Sequence, residues 1–127
     1  MKAKLFALFI ALLMVGCGSP DLDNPETIKE IQAIAIDKSE FDSLPNRDSF
    51  TGWVKISWNF GKGPLRGLTQ YSNGKVDGPC FMWERDGSKS EERYHKNGKR
   101  HGPWKAWRNG KLTEDRYYKD GSRVDNE

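Results

Sequence analysis

The chain has few of the side chains from which active sites and metal centres are usually built. Its 127 residues include two histidines and two cysteines, so the sequence has no His/Cys cluster to hold a structural metal. Cys80 has no histidine near it in sequence, and Gly61-Lys62-Gly63 lacks the strand and helix context of a phosphate-binding loop. The sequence therefore predicts a protein that is not an enzyme and that uses no cofactor or metal.

Apolar residues are also scarce, at 35% of the chain against 31% charged residues. That is a thin core for one domain, and thirteen glycines and five tryptophans favour a β-structure with many turns and large flat side chains on its faces. Charge is unevenly distributed. Between Asp21 and Phe50 eight acidic residues accompany three basic ones, whereas from Thr51 onward sixteen basic residues accompany ten acidic ones. This pattern indicates an acidic spacer before a mildly basic domain.

Only one long apolar run is present, the eleven residues from Leu5 to Val15. It is shorter than the roughly 20 residues of a membrane-spanning helix, and two lysines precede it in the layout of a secretory signal. Its end at Gly16-Cys17 resembles the lipobox of bacterial lipoproteins, in which the bond before the cysteine is cut and the cysteine carries the lipid. The resemblance implies a lipoprotein signal peptide over residues 1–16 and a lipidated (palmitate-bearing) Cys17. The alternative is an ordinary signal peptide with a chance cysteine.

Lipidation of Cys17 has consequences for the rest of the chain. More than one acyl chain makes membrane anchoring stable, because each buried methylene contributes about 0.8 kcal/mol. An intrachain disulfide becomes impossible, and Cys80 is interpreted as a small packing residue.

Gly18 and Ser19 lack the aspartate that marks inner-membrane retention in some bacteria, which favours the outer membrane of the cell envelope. One position departs from the lipobox, because Met14 stands where leucine is usual.

Residues 17–49 are predicted to form a lipid-anchored acidic spacer and cap. Asn24-Pro25-Glu26 has the composition of a helix N-terminus, with a capping asparagine, a proline and an acid. The isoleucine-rich stretch from Ile31 to Ile36 fits a strand as well, because periodicity does not decide so short a run. Ile28 to Leu44 is interpreted as a cap that covers the first edge of the structure that follows.

One unit of sequence occurs almost twice in the remaining chain. Ser90-Glu91-Glu92-Arg93-Tyr94 returns 23 residues later as Thr113-Glu114-Asp115-Arg116-Tyr117, and glycine turns flank both copies. A period of this length indicates stacked supersecondary units. Most of the turns are Asn-Gly or Asp-Gly pairs, which favour the type I′ turn of a tight hairpin. These pairs are Asn73-Gly74, Asp86-Gly87, Asn97-Gly98, Asn109-Gly110 and Asp120-Gly121.

Residues 50–127 are therefore predicted to be all-β, an extended meander of repeated β-hairpins that follows the signal peptide and a short spacer, either helix or strand. The first hairpin is expected to have a wider loop, because the sequence from Gly61 to Gly67 departs from the pattern, and the fourth is cut short. Forward strands are predicted at Trp53–Trp58, Cys80–Arg85 and Trp104–Arg108, and return strands at Leu65–Tyr71, Lys89–Lys96 and Lys111–Lys119.

Strand alternation assigns the side chains to two faces of the sheet. Phe81, Trp83 and Trp107 are predicted to point away from Cys80 and Trp104, so that both faces carry aromatic surface.

The titratable residues of the repeat are interpreted as structural. His95 and His101 are predicted to be surface residues, because His101 occupies the place of Asp77 in the previous copy. The paired acids of each copy recur with the architecture and point to opposite faces. They are interpreted as solvated or paired with Arg93 and Arg116, and not as an acid/base pair.

These residues resemble a known family. Residues 97–112 contain Asn97-Gly98, Gly102, a Trp-rich strand and Asn109-Gly110, and they are similar to the short bacterial variant of the MORN repeat. The resemblance covers residues 50–125. It implies a sheet of successive hairpins that acts as an interaction module for proteins or membrane lipids. Bacterial members include envelope lipoproteins, some of them antitoxin-like.

We therefore expect a membrane-anchored lipoprotein that is a non-catalytic protein-interaction module of the bacterial envelope. Its expected partners are the membrane, through Cys17, and an unidentified envelope protein, and not nucleic acid, because the chain is exported. The alternatives are peripheral binding of anionic lipid headgroups, an antitoxin or immunity role, and a small hydrolase. The tryptophans are either part of the binding surface or simply cover the sheet. The candidate binding residues are Trp83, Lys99, Arg100, Trp104, Lys105 and Trp107.

Overall fold

A computed structural model describes residues 20–125, which fall into two compact units. The first contains the described residues up to Ala35, and the second begins at Ile36. The predicted signal peptide and Cys17 lie outside the described residues.

The first unit contains helix α1 (Pro25–Ile34). Asn24 caps it, since its side-chain oxygen accepts a hydrogen bond from the backbone N–H of Glu26 at 2.9 Å. Ile31 is buried on this helix. The helical interpretation of Asn24-Pro25-Glu26 is therefore confirmed, and most of the isoleucine-rich stretch belongs to the helix.

The second unit is a single eight-stranded sheet in which the strands lie side by side in sequence order. Every neighbouring pair is antiparallel except the first, which is parallel. This confirms the predicted all-β meander of hairpins. The strands are β1 (Ile36–Asp37), β2 (Gly52–Ser57), β3 (Leu65–Ser72), β4 (Lys75–Trp83), β5 (Lys89–Lys96), β6 (Lys99–Arg108), β7 (Lys111–Lys119) and β8 (Ser122–Val124).

The first edge of the sheet is covered in part by the segment that precedes it in the chain. β1 pairs with Val54 and Lys55 of β2. Helix α2 (Lys38–Asp42) follows, and its buried Phe41 packs against the rings of Phe50 and Tyr71, at centroid distances of 5.5 and 4.6 Å. A short 3-10 turn at Arg47–Ser49 completes the connection to β2.

Four hairpin turns have the predicted type I′ form. Each joins two strands through two residues that both have a positive φ, as this turn requires. They are Asn73-Gly74, Asn97-Gly98, Asn109-Gly110 and Asp120-Gly121. The first hairpin has the expected wider loop, closed by a hydrogen bond from the Trp58 N–H to the Pro64 carbonyl at 2.9 Å.

The type I′ prediction is wrong at Asp86-Gly87. There only Gly87 has a positive φ, and the pairing of Trp83 with Lys89 leaves a longer loop. The Asp86 carboxylate accepts hydrogen bonds from the backbone N–H and the hydroxyl of Ser88, at 2.9 and 2.6 Å. A side chain that binds the backbone two residues onward closes this loop in place of the tight turn.

Two forward strands begin earlier than predicted. β4 starts at Lys75 and not at Cys80, and β6 starts at Lys99 and not at Trp104. Gly78 and Gly102, which suggest turns in the sequence, have φ values of 112° and 95° inside these strands. The β5–β6 register shifts across Gly102, as expected of an irregularity that a strand absorbs without ending.

The predicted division into faces is confirmed by the strand register. Cys80 lies opposite Arg93, which lies opposite Trp104, so these residues define one face, called here the Trp104 face. Leu68, Phe81, Glu92 and Lys105 are opposite one another in the same way and define the Phe81 face. The most deeply buried side chains of the sheet include Trp53, Leu68 and Phe81, which all belong to the Phe81 face.

Candidate functional site

The six candidate binding residues do not form one surface. Trp83, Lys105 and Trp107 belong to the Phe81 face, whereas Arg100 and Trp104 belong to the other. Lys99 is exposed at the start of β6.

The two tryptophans Trp83 and Trp104 are each only 8% exposed. Burial to this extent makes them part of the covering of the sheet, as the simpler interpretation of the tryptophans expected.

Trp104 is the centre of an aromatic and cationic cluster. The guanidinium carbons of Arg93 and Arg100 each lie 4.7 Å from the centre of its ring system. The rings of His95 and Tyr118 pack against it at centroid distances of 5.3 and 5.2 Å. These five residues are called here the Trp104 cluster. Its indole makes two cation–π contacts.

The indole N–H of Trp104 and the two arginines stacked on it each have a partner within the sheet. The indole N–H of Trp104 donates to the Tyr94 carbonyl at 3.0 Å. Arg93 pairs with Glu91 at 3.3 Å, and Arg100 donates to the Tyr118 hydroxyl at 3.4 Å. These three members of the cluster therefore have partners supplied by the sheet.

His95 differs from them, and the prediction that both histidines are surface residues is wrong for it. It is half-buried against Trp104, and its Nδ1 is buried without a hydrogen-bond partner in the described part of the chain. Burial, together with the positive charges of Arg93 and Arg100, lowers the pKa of His95 below its ordinary value. The neutral imidazole is thereby favoured.

A second tryptophan, Trp58, follows the last residue of β2 and has two arginines stacked on its ring. The guanidinium carbons of Arg66 and Arg85 lie 4.6 and 5.0 Å from the centre of the Trp58 ring system. Arg66 occupies a bulge in β3 where the register with β2 shifts, and Arg85 lies in the loop between β4 and β5. These three residues are called here the Trp58 cluster.

The Trp58 cluster differs from the Trp104 cluster in its polar groups. The indole N–H of Trp58 is buried and has no acceptor among residues 20–125. Within the same residues, neither Arg66 nor Arg85 forms an ion pair with a carboxylate, and both side chains are exposed. The hydrogen-bond donors of these three side chains therefore have no acceptor among residues 20–125.

A cavity of about 590 Å³ opens beside the Trp58 cluster. Its walls come from the start of α2, the end of β2 and the first hairpin loop. Besides the cluster itself, the lining includes Asp37, Lys38, Lys55, Ile56 and Ser57.

At the tip of the first hairpin loop, Phe60 is completely exposed and has a φ of 55°, between Asn59 at 54° and Gly61 at 88°. A bulky residue rarely adopts the left-handed backbone conformation. Residues in such strained conformations are found mostly at functional sites.

The position shared by Asp77 and His101 has a structural role that the sequence did not reveal. The Asp77 carboxylate accepts from the Asn97 N–H at 3.2 Å, and His101 Nδ1 accepts from the Asp120 N–H at 3.3 Å. Thr51 accepts in the same way from Asn73 at 3.1 Å. A carboxylate, an imidazole and a hydroxyl replace one another here because each supplies an acceptor to the next turn.

The paired acids and Cys80 also have structural partners. Glu91 and Glu114 lie 3.3 and 3.7 Å from Arg93 and Arg116, which confirms their interpretation as repeated ion pairs. Burial raises the pKa of the Cys80 thiol, whose sulfur lies 3.2 Å from the Thr69 hydroxyl. A raised pKa reduces the thiolate fraction, as expected of a packing residue.

Residues 20–125 contain no group of three or more His, Cys, Asp and Glu side chains that could hold a metal ion. In the same part of the chain, no helix is long and apolar enough to cross a bilayer.

The sequence pointed to Trp58 only as one of several tryptophans, and it gave no indication of Arg66 or Arg85. Their convergence depends on a bulge and a loop that local patterns do not predict. Comparison of the chain with known protein families, with curated proteins and with solved structures found no match in any of the three.

Proposed function

We propose that this protein is a lipoprotein of the bacterial envelope, held on a membrane by acylated Cys17, that binds another protein without catalysing a reaction. The Gly16-Cys17 pattern after an apolar run supports the anchor. The resemblance of residues 50–125 to the MORN repeat supports an interaction role. An antitoxin or immunity function is a narrower form of the same binding activity.

The observation that carries the proposal is the difference between the two tryptophan clusters. The Trp104 cluster satisfies most of its own donors, whereas the Trp58 cluster presents two arginines without carboxylate partners in residues 20–125. Desolvated arginine and tryptophan side chains are the residue types that dominate protein–protein binding energy. An exposed stacked pair beside a cavity is therefore a suitable contact surface.

The anchor is tested by replacing Cys17 with serine. The native protein is expected in the detergent-extracted membrane fraction, and the Cys17→Ser variant is expected to leave it. Cys80→Ser serves as the matched control, because it removes the other cysteine, and it should remain with the membrane. Retention of Cys17→Ser with the membrane would show that acylation at Cys17 is not what holds the protein there.

The partner is tested by cross-linking the anchored protein in intact cells and purifying it in detergent. A protein recovered in constant stoichiometry, and lost when the Trp58 cluster is altered, supports the proposal. Recovery of only variable background proteins counts against it.

The exposed Phe60 supports a second candidate, peripheral binding to anionic lipid headgroups. An aromatic side chain at a loop tip, with Lys62 and Arg66 nearby in sequence, could enter the interface of an anionic bilayer. Vesicles with and without anionic lipid test this with the Cys17→Ser chain. Binding that requires the anionic lipid, falls with added salt and weakens in Phe60→Ser supports the candidate, and salt-insensitive or absent binding removes it.

A further inference from the structure

We infer that the Trp58 cluster binds a carboxylate side chain of an extended acidic segment in the protein partner. The inference rests on the proposed function and deepens it by naming the chemistry of the partner. Arg66 and Arg85 would bind the carboxylate, and the cavity beside Trp58 would receive the neighbouring part of the segment.

The charges give the first reason. Arg66 and Arg85 both stack on one indole, so their guanidinium carbons cannot be farther apart than the sum of their distances to that ring. Both groups are positive, so an anion bound to one of them is also attracted by the other. Guanidinium groups match carboxylates in geometry and form charge-assisted hydrogen bonds with them.

The contrast with other arginines of the sheet gives the second reason. Arg93 and Arg116 each have a glutamate two residues away, at 3.3 and 3.7 Å. The repeat thus supplies a carboxylate to these arginines. In the described part of the chain it supplies none to Arg66 or Arg85, so the carboxylate of a partner would complete the pattern.

Trp58 contributes preorganisation. Its backbone is fixed at the base of the first loop by two hydrogen bonds, from its N–H to Pro64 at 2.9 Å and from the Gly63 N–H to its carbonyl at 2.8 Å. A backbone held in this way limits the positions open to the indole and to the arginines that stack on it, and restriction before binding lowers the entropic cost of forming the contact.

The edge of the sheet indicates that the occupant is an extended chain. β1 pairs with Val54 and Lys55 only, so on this side of β2 no described strand pairs with Ile56 or Ser57. These two residues line the cavity. An exposed strand edge accepts a further strand through its backbone groups, while adjacent pockets select the side chains of that strand. A segment that pairs with the end of β2 would reach the Trp58 cluster.

The shape of the site favours a peptide over a membrane surface. The arginines border a recess between α2 and the first loop. A planar bilayer contacts only the rim of a recess, whereas an extended chain can enter it.

The test measures binding of a defined probe to the full chain in a neutral detergent. The probe is a fluorescein-labelled eight-residue peptide of alternating Glu and Val, and the same peptide with Gln in place of Glu is the neutral comparison. Fluorescence anisotropy gives the Kd. We expect Arg66→Gln/Arg85→Gln to weaken binding of the Glu peptide by about tenfold or more, the scale of a lost charged hydrogen bond. The Gln peptide should bind weakly to every variant.

Lys119→Gln/Arg123→Gln is the matched control, because it removes the same two charges from exposed positions near the last turn. Its Kd should stay within about twofold of the native value. Charges far from the site attract the peptide only at long range, and salt screens that attraction. Arg66→Lys/Arg85→Lys keeps the charge and removes the guanidinium geometry, so it should fall between the native protein and the double Gln variant. Circular dichroism should show the same sheet in all variants.

Three results would overturn the inference. The Glu peptide and the Gln peptide could bind equally well. The Lys119/Arg123 control could lose as much affinity as the Arg66/Arg85 variant. Anionic vesicles could bind in a manner that needs Arg66 and Arg85 while the peptide does not, which would assign the site to lipid headgroups.

Failure of the inference is distinguishable from failure of the proposed function. If cross-linking recovers a stoichiometric partner equally well with Arg66→Gln/Arg85→Gln, the protein binds a partner elsewhere and this inference alone is wrong. If no partner is recovered with the native protein, the proposed function fails.

Discussion

The two tryptophan clusters have the same core, an indole with two arginines stacked on it, and differ in what surrounds that core. At Trp104 the indole N–H has the Tyr94 carbonyl as acceptor, and Arg93 has a glutamate partner. At Trp58 the indole N–H and both arginines lack such partners in residues 20–125. A cation–π cluster of the same core composition therefore has partners within the sheet at Trp104 and lacks them, among residues 20–125, at Trp58.

The difference follows from position in the meander. Trp104 lies on a central strand between β5 and β7, and the residues opposite it, Arg93 and Arg116, come from the repeated unit. Trp58 lies where the first hairpin departs from the pattern, and its arginines come from a bulge and a loop. The repeated unit supplies Arg93 with Glu91, whereas the first hairpin lies outside that unit and supplies no such carboxylate in residues 20–125.

The largest expected effect separates the clusters by stability. Trp104→Ala removes a side chain that is 8% exposed, together with its hydrogen bond and ring contacts, and should lower the free energy of unfolding by about 3–5 kcal/mol. Trp58→Ala removes a half-buried side chain and should cost about 1–2 kcal/mol. Urea unfolding followed by circular dichroism measures both. Equal losses would show that Trp58 is as structural as Trp104.

The features that the sequence predicted correctly are local. Asn-Gly pairs have a backbone preference that selects the type I′ turn, and alternation along a strand assigns Cys80 and Phe81 to opposite faces without knowledge of the partner strand. Asn24 and Pro25 likewise identify a helix start by their own chemistry.

The features that the sequence missed depend on competition or on register. Asp86 binds Ser88 and closes a longer loop, so an Asp-Gly pair does not form the expected turn. Gly78 and Gly102 have positive φ values that strands absorb as irregularities. Arg66 and Arg85 both contact Trp58, one from a bulge in β3 and the other from the loop after β4, and no local pattern specifies either placement.

A smaller effect tests the regular part of the repeat through its turn-to-turn hydrogen bonds. Asp77→Ala removes the acceptor for the Asn97 N–H and should lower the free energy of unfolding by about 1 kcal/mol. Asp115→Ala is the control, since it removes an exposed carboxylate from β7, and its effect should stay within about 0.5 kcal/mol. Asp77→Asn keeps an acceptor and should recover most of the loss. If Asp77→Ala matches the control, the shared position has no structural role.

A pH dependence should arise at the Trp104 cluster from His95. Its pKa is lowered in the folded state, chiefly by burial and then by Arg93 and Arg100, so the unfolded chain binds the proton more readily. The stability contributed by neutral His95 is therefore present above the unfolded pKa of about 6.5, and is lost as the pH falls below it. Urea midpoints at neutral and mildly acidic pH should diverge less in His95→Gln than in the native protein. Parallel pH profiles would exclude this contribution.

The smallest expected effect addresses the comparison directly, through the contribution of each arginine to folding. Arg93→Gln breaks the pair with Glu91 and one stack on Trp104, and should cost about 0.5–1 kcal/mol. Arg66→Gln removes a stack on Trp58 but also relieves repulsion from Arg85, so the two terms oppose each other and the free energy of unfolding should change by less than about 0.5 kcal/mol. Added salt screens repulsion between exposed charges, so the difference between native protein and Arg66→Gln should shift towards destabilisation as salt increases. Arg66→Gln could lower the free energy of unfolding as much as Arg93→Gln does, at any salt concentration. That result would mean that the arginines at Trp58 stabilise the fold and are not free to bind a ligand.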